Sequence, residues 1–503
     1  MLLADVVATS TAVAATRSRT AKVAAIAGLL RGLDPADAEL TAVVAAYLGG
    51  SLSQRRTGLG GRSLSGLPAP AGEPSLEVAE VDRRFEEVAA LSGPGSAGRR
   101  AAAVADLFAR ATGEEQRWLR GVVAGELRQG ALDALVQDAA AAVAGVPGPD
   151  VRRAAMLAGS TVQAVVAALR GGAAELAGFG LHVGRPLLPM LAASATSVAE
   201  AVAGFAGPVA VDTKLDGIRI QVHRGPEGVR IATRTLEDIT ARLPEVVEVV
   251  RELPARAFVL DGEALVLDGS GRPKAFQDTA SRTAQASGDA VVPYFFDVLH
   301  LDGADLLDVA LRERLAALDG FVPPRWRTPR LVTADPAAAA EFAAQALAGG
   351  HEGVVVKDLD SPYAAGRRGG AWVKVKPVHT LDLVVLAVER GSGRRAGWLS
   401  NVHLGARDPA TGGFVMLGKT FKGMTDETLA WQTARFRELQ TGEDGYVVTV
   451  RPEQVVEVAF DGLQRSTRYP GGVALRFARV VRYREDKTAA EADTLETVLA
   501  LAR

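Results

Sequence analysis

The run Asp212-Thr213-Lys214-Leu215-Asp216-Gly217-Ile218-Arg219 could carry out chemistry at phosphorus. A lysine can shed its proton and attack, which arginine cannot. A strand leads into the run, and its period of two puts Asp212 and Lys214 on one face. The Asp-Gly step then turns the chain into a second strand. Acidic neighbours flank Lys214 and Arg219 follows five residues on, so the group could hold a phosphate and a metal ion together. Cationic neighbours and Mg²⁺ would favour the free, nucleophilic amine.

Further segments could complete such a site. Leu260-Asp261-Gly262-Glu263 places a carboxylate within an apolar strand, where it must be paired or line a site. Tyr294-Phe295-Phe296-Asp297 is an aromatic strand whose phenylalanines could equally be core. Glu352-Gly353-Val354-Val355-Val356-Lys357 reads either as a buried strand with charged ends or as part of the site. In Trp372-Val373-Lys374-Val375-Lys376, alternation aims both lysines to one side, as a phosphate-binding wall would need. Near the end, Leu475-Arg476-Phe477-Ala478-Arg479-Val480-Val481-Arg482 continues through Asp486 and Lys487 as a basic ladder at strand spacing.

The elements that must position these residues fall into three stretches. Residues 1–190 read as helices, with apolar residues three and four apart in Thr41–Leu48, Arg100–Thr112, Gln116–Val143 and Val151–Leu169. Gly49–Gly72 and Ser92–Gly98 read as loops. From Pro208 to Pro377 short strands dominate, with a helix at Pro336–Ala348 whose start Asp335 can cap. After Pro377 strands return, interrupted by one helix at Glu427–Leu439. The expected fold is multidomain: an all-α N-terminal domain (1–190), an α+β domain (191–377) and a C-terminal OB-fold β-barrel (378–503).

Composition narrows the class. The 503 residues are 48% hydrophobic and contain no cysteine, which excludes disulfides, thiolate zinc sites and cysteine nucleophiles. No membrane span or secretion signal is legible, so a cytoplasmic, nucleoid-associated protein is expected. Of 57 basic residues nine are lysines, leaving 48 arginines in an Ala-, Val- and Gly-rich chain, the bias of a GC-rich genome. Five of the nine lysines (214, 357, 374, 376 and 487) fall in the segments above. Gly413-Phe414-Val415-Met416-Leu417-Gly418-Lys419-Thr420 satisfies the P-loop pattern, but its bulky apolar positions read as a strand.

In this order the segments resemble the six motifs of the covalent nucleotidyltransferases, specifically the ATP-dependent DNA ligases. Lys214, Asp216, Gly217 and Arg219 match the signature Lys-x-Asp-Gly-x-Arg. Thr233-Arg234-Thr235-Leu236-Glu237-Asp238 is similar to the next motif. So are the stretch from Glu352 through Asp360-Ser361-Pro362-Tyr363 to Trp372, and Arg185-Pro186-Leu187-Leu188-Pro189-Met190-Leu191 ahead of it. The helical first third resembles, less specifically, the DNA-binding domain of the archaeal and eukaryotic type. That domain and the complete last motif favour a DNA ligase over an RNA ligase or capping guanylyltransferase. The absence of cysteine disfavours the NAD-dependent class.

The resemblance implies a nucleophile and its supporting cast. Lys214 would take AMP from ATP and pass it to the 5′-phosphate of a nick. Glu263 would hold the ribose, Phe296 would stack on adenine, and Lys374 and Lys376 would contact the α-phosphate. Arg219 and Arg234 would touch ribose or nick phosphate, while Glu263 and Glu352 would bind Mg²⁺ (or Mn²⁺). Arg482, Asp486 and Lys487 would orient pyrophosphate. Where the family usually has glutamate two residues before the nucleophile, this chain has Asp212, a shorter arm expected to reach the base through water. The partner would be nicked duplex DNA bound by a monomer, with a sliding clamp or repair protein as further partner. Residues 1–190 carry 19 basic and 18 acidic side chains, so local patches such as Arg55, Arg56 and Arg62 would have to grip DNA.

Overall fold

A computed structural model describes residues 1–501 apart from 55–56, 65, 126, 128–131, 286–287, 365–367, 392–394 and 396. Arg55, Arg56 and the Arg62 side chain therefore lie outside the described residues. Internal contacts divide the chain into two compact units. The first holds Met1–Pro273, Thr279–Ala343 and Val355–Lys374; the second holds Lys274–Asp278, Ala344–Val354 and Val375–Arg503.

The helical region of the first unit comprises α1 (Leu3–Ala15), α2 (Arg19–Leu30), α3 (Ala38–Leu48), α4 (Val78–Ala90), α5 (Ser96–Ala109), α6 (Gly113–Val123), α7 (Leu132–Ala144), α8 (Gly148–Ala158) and α9 (Thr161–Ala177). Their apolar stripes meet in one core that includes Leu30, Tyr47, Phe85, Phe108 and Leu119. Two expected continuous runs are each broken in two. Gln116–Val143 is interrupted after α6, where Gly125 takes a positive φ. Val151–Leu169 is interrupted at Gly159, whose left-handed conformation ends α8, and Ser160 caps α9 through Gln163 N. Apolar spacing passed through both breaks because both flanking helices bury the same side.

The mixed region is built on two five-stranded sheets. The strands are β1 (Leu191–Ser194), β2 (Val209–Lys214), β3 (Ile218–Gly225), β4 (Gly228–Thr233), β5 (Phe258–Val266), β6 (Val291–Leu301), β7 (Ala304–Asp305), β8 (Arg330–Thr333), β9 (Gly353–Asp358) and β10 (Arg368–Val375). One sheet runs β1-β10-β9-β2-β8 and the other β4-β3-β5-β6-β7. Helices α10 (Val198–Ala203), α11 (Pro244–Glu252), α12 (Phe276–Gln285), α13 (Leu311–Phe321) and α14 (Pro336–Ala348) complete it. The expected strand segments and the Pro336–Ala348 helix are all present; β1 and β8, short and without alternation, were not legible.

The last stretch contains β11 (His379–Arg390), β12 (Leu399–Arg407), β13 (Phe414–Thr420), α15 (Asp426–Glu438), β14 (Gln440–Asp444), β15 (Val447–Val450), β16 (Val455–Phe460), β17 (Gly462–Arg465), β18 (Val473–Arg476), β19 (Arg479–Arg484) and α16 (Leu495–Ala500). The long β11 pairs with β12, β15 and β16, and β16 with β19, around a core that includes Leu383, Leu404, Phe436, Val458 and Phe460. The P-loop look-alike is strand β13, with Lys419 opposite His403. The expected single basic ladder is two strands: Phe477 stands at φ 54° between β18 and β19. Among the described residues no helix is long and apolar enough to cross a membrane.

The segment 184–191 straps the helical region to the mixed one. Gly184 N donates to His223 Nδ1 at 3.1 Å, and Leu187 N donates to Gln221 Oε1 at 2.8 Å. His223 Nδ1 is thus an acceptor, which places the proton on Nε2, 3.0 Å from Gln221 Oε1. Burial, together with the charges of Arg230 and His300, pushes the His223 pKa down to about 3. Protonation then favours the unfolded chain, so this group's stabilisation is full above pH 6.5 and is lost as the pH falls from there towards 3. His223→Gln can keep both hydrogen bonds without titrating. In urea unfolding between pH 6 and 4, the advantage of the native protein over this variant should shrink by about 1.4 kcal/mol per pH unit. A constant difference would contradict the neutral, buried imidazole.

Candidate active site

Lys214 ends β2, and the turn that follows it is set by close packing. A Cβ on Gly217 would lie 2.2 Å from the Ala264 carbonyl oxygen, so only glycine lets β3 start against β5 here. That register puts Arg219 opposite Glu263, and Glu263 opposite Tyr294 on β6. Glu263 Oε1 accepts from Gly217 N at 3.2 Å. Burial pushes its pKa up to about 7, against the opposing pull of Lys214 and Arg219. Lys214 and Glu263 are therefore electrostatic neighbours at the head of the turn.

Arg219 reaches diagonally along β5. Its Nε and Nη2 donate to the two oxygens of Asp261 at 3.0 and 2.6 Å, and Nη1 donates to the Met190 carbonyl at 2.7 Å. The Tyr363 hydroxyl donates to Asp261 at 2.8 Å and accepts from Met190 N at 3.0 Å. The guanidinium also lies 5.5 Å from the Phe296 ring centre and 5.8 Å from that of Trp372. Expected to touch ribose or phosphate, Arg219 is engaged in tying β3 to β5 and to the strap.

The two phenylalanines of β6 separate by face. Phe295 and Asp297 point to the core behind the sheet, where Arg314 meets Asp297 at 2.8 and 3.0 Å in a fully buried pair. Phe296 points the other way, edge-on to Trp372 with ring centres 6.0 Å apart. Of the two, Phe296 is thus the ring on the site's side.

Asp212 is 2% exposed and lies 2.5 Å from Lys357 Nζ, itself 2% exposed. That ammonium sits 4.5 Å from the Phe296 ring centre and 4.3 Å from the Trp372 one, a cation between two aromatic faces. Neither the carboxylate oxygens nor Nζ makes a well-directed hydrogen bond, so the pair keeps unused polar capacity. The aspartate that replaces the usual glutamate is therefore the counter-ion of a buried lysine. Lys357, Asp261 and Tyr363 were quoted within motifs yet not singled out; lysine scarcity was the one signal that marked Lys357.

Arg234 lies in the turn after β4 and is exposed. Lys374 belongs to the first unit, in β10, and is half-buried.

In the second unit, Lys376 stands between two carboxylates. It donates to Glu352 at 3.1 Å and to Asp461. Burial opposes its charge, but these carboxylates outweigh it and hold the pKa above the ordinary lysine value. Glu352, expected as a metal ligand, is thus one arm of an ion pair. At the end of β19, Arg482 pairs with Glu457 at 2.7 Å and Lys487 with Asp382 at 2.6 Å. Asp486 accepts from Arg484 at 2.8 and 2.6 Å, which lowers its pKa to about 2. Asp382 and Asp461, which gather these cations, had no sequence signal beyond being acidic.

Residues 66–141 match the family description DNA ligase N terminus, 189–376 match ATP dependent DNA ligase domain, and 395–487 match ATP dependent DNA ligase C terminal region. The chain is 99% identical to a "Probable DNA ligase" of Kineococcus radiotolerans over the whole of both chains. It belongs to the ATP-dependent DNA ligases. A "Probable DNA ligase" of a Nocardioides strain is 70% identical over 99% of this chain and 98% of its own. A solved structure titled Pmar-Lig_PreS3 is 19% identical with a TM-score of 0.64, covering 95% of this chain and 99% of that one, which supports the fold. As a ligase of this family the protein seals nicks in DNA by adenylation chemistry, using ATP. Its architecture is the three-domain one: helical N-terminal region, mixed adenylation domain and β-rich OB region.

The buried Asp212–Lys357 pair generates a test. Lys357→Met strands a carboxylate among aromatic rings and should cost roughly 3–5 kcal/mol in urea unfolding. Adding Asp212→Asn removes the stranded charge and should recover most of that loss. A double variant as unstable as the sum of the singles would show that the two groups do not depend on each other.

Proposed function

We propose that Lys214 is the nucleophile of this ligase. Its position carries the reading: the lysine closes β2, at the turn that Gly217 packs onto β5, beside the half-buried Glu263. The Lys214 amine gives up a proton and its lone pair forms an N–P bond to the α-phosphate of ATP, while the bond to pyrophosphate breaks. A 5′-phosphate oxygen at the nick then displaces the lysine and takes AMP. Finally the 3′-hydroxyl attacks that phosphate and AMP leaves. Each step is an in-line substitution at phosphorus, so positioning and charge neutralisation supply most of the catalysis.

The other residues take supporting roles in this reading. Phe296 presents the ring on which adenine stacks, and Glu263 holds the ribose. Asp212 meets the base through water while balancing Lys357. Lys374 and Lys376 contact the α-phosphate, and Arg219 and Arg234 the ribose or nick phosphate. Arg219 does so while anchored on Asp261.

Mg²⁺, or Mn²⁺ in its place, fits the donors. Among the described residues no three acidic or imidazole groups gather, but Mg²⁺ with substrate phosphates needs only one or two carboxylates. Glu263 is such a donor, since a divalent cation would settle its buried carboxylate in the charged form; Glu352 would be the other. The ion would neutralise charge on the phosphates. The protein would act as a monomer on nicked duplex DNA, with Arg55, Arg56 and Arg62 among its phosphate contacts.

Two measurements check these roles. After incubation with labelled ATP, Lys214→Ala and Lys214→Arg should carry no covalent AMP; a labelled adduct in either would remove the assignment. Asp486→Ala and Lys487→Ala should slow adduct formation by about 100-fold, the scale for losing one positioned charge. Both should still seal a nick that already bears AMP. Equal losses in both steps would contradict a role confined to pyrophosphate.

A further inference from the structure

The turn after β4 carries Arg234 and rests on the helical region at one point. Leu236 adopts φ 63°, a left-handed conformation that is unfavourable for a non-glycine residue. The turn is closed on itself: Leu236 N donates to the Thr233 carbonyl at 2.9 Å, and Thr233 N donates to the Glu237 carbonyl at 2.9 Å. Thr233 Oγ1 accepts from Thr235 N and Glu237 N at 3.3 and 3.2 Å. Moving Leu236 therefore moves Arg234, two residues away in the same closed turn.

Leu236 is seated on Gly159, the C-terminal residue of the α8 turn. A Cβ there would lie 2.8 Å from Leu236 Cδ1 and 3.0 Å from the Pro186 carbonyl oxygen. The seat is itself fixed. Met156 O accepts from both Gly159 N and Leu188 N at 3.0 Å, tying the helix end to the strap. Met156 and Leu157 are buried with Leu187, Met190 and Trp372, and Arg153 grips both oxygens of Asp308 at 2.7 Å.

We infer that the α8 terminus positions Arg234: through the Gly159–Leu236 contact, the helical domain sets the loop that meets the nick phosphate. Leu236 and Gly159 are positioning residues for the steps on DNA and have no part in the reaction with ATP. The inference rests on the reading of Arg234 as a nick-phosphate contact.

The test uses the full-length ligase and times the steps separately: AMP loading from ATP, AMP transfer to a nick, and sealing of a pre-adenylated nick. Leu236→Ala empties the seat without disturbing α8, and Gly159→Ala pushes Leu236 off it. Both should load AMP within about twofold of the native rate and transfer it to the nick about tenfold more slowly, with a raised KM for nicked DNA, as small misplacements do. Joining them should recover part of the Gly159→Ala loss, because the shorter side chain vacates the space the new methyl needs. Arg234→Ala run in parallel separates the two ideas. If it is defective on DNA while Leu236→Ala transfers and seals at native rates, the coupling is wrong. Leu236→Ala slowing AMP loading as much as transfer would also overturn it. Native rates for Arg234→Ala would instead remove the reading beneath it.

Discussion

The Arg219 guanidinium holds together segments far apart in sequence, and the site depends on it. It binds Asp261 on β5, the Met190 carbonyl on the strap and, through Asp261, the Tyr363 hydroxyl. A charge this buried is tolerable only when its donors are satisfied, and these partners are fixed by β5, the strap and the loop that carries Tyr363. The consequence is rigidity where it matters: β3, β5 and the strap cannot slide relative to one another without stranding a charge. The turn at Lys214, five residues upstream of Arg219, inherits that rigidity.

A second buried pair works from behind. Asp297 and Arg314 are both fully buried, and Arg314 also donates to the carbonyls of Val309 and Ser361. Phe296 sits where β6 slips against β5, directly before Asp297, so clamping Asp297 fixes the backbone that carries Phe296. The aromatic side of the site is thus held by an ion pair that never touches it. Breaking such a pair costs more than the pair contributes, since the survivor is left buried and uncompensated.

Much of this could be read from the residues, and the rest was hidden for definite reasons. The strands of the adenylation domain announced themselves by β-branched runs, and the Lys214 turn by its Asp-Gly step. The breaks at Gly125 and Gly159 did not, because apolar spacing continues on both sides while a single left-handed glycine ends the helix. Phe477 hid a break similarly, since nothing in a bulky residue suggests a positive φ. Pairings across long separations were least visible. Asp212 and Lys357 are 145 positions apart, and only the fold makes one the counter-ion of the other. The departure from glutamate at position 212 looked like a change in base contact, whereas in the structure Asp212 is also the counter-ion of Lys357.

The scarcity of lysine acquires a physical sense from these pairings. Arginines make the fold's fixed ties, Arg219 to Asp261, Arg314 to Asp297 and Arg282 to Glu245, where a charge that never dissociates is the safer choice. Several motif lysines are also tied: Lys357 to Asp212, Lys376 to Glu352 and Asp461, Lys487 to Asp382. Each of these faces a carboxylate at 3.1 Å or less. Lys214 differs in its neighbour. Burial lifts Glu263 to about 7, so at neutral pH that carboxyl is only partly ionised and gives an incomplete counter-charge. Lys214 is thus set beside a carboxyl that burial leaves only partly charged, whereas the tied lysines face carboxylates at ion-pair distance.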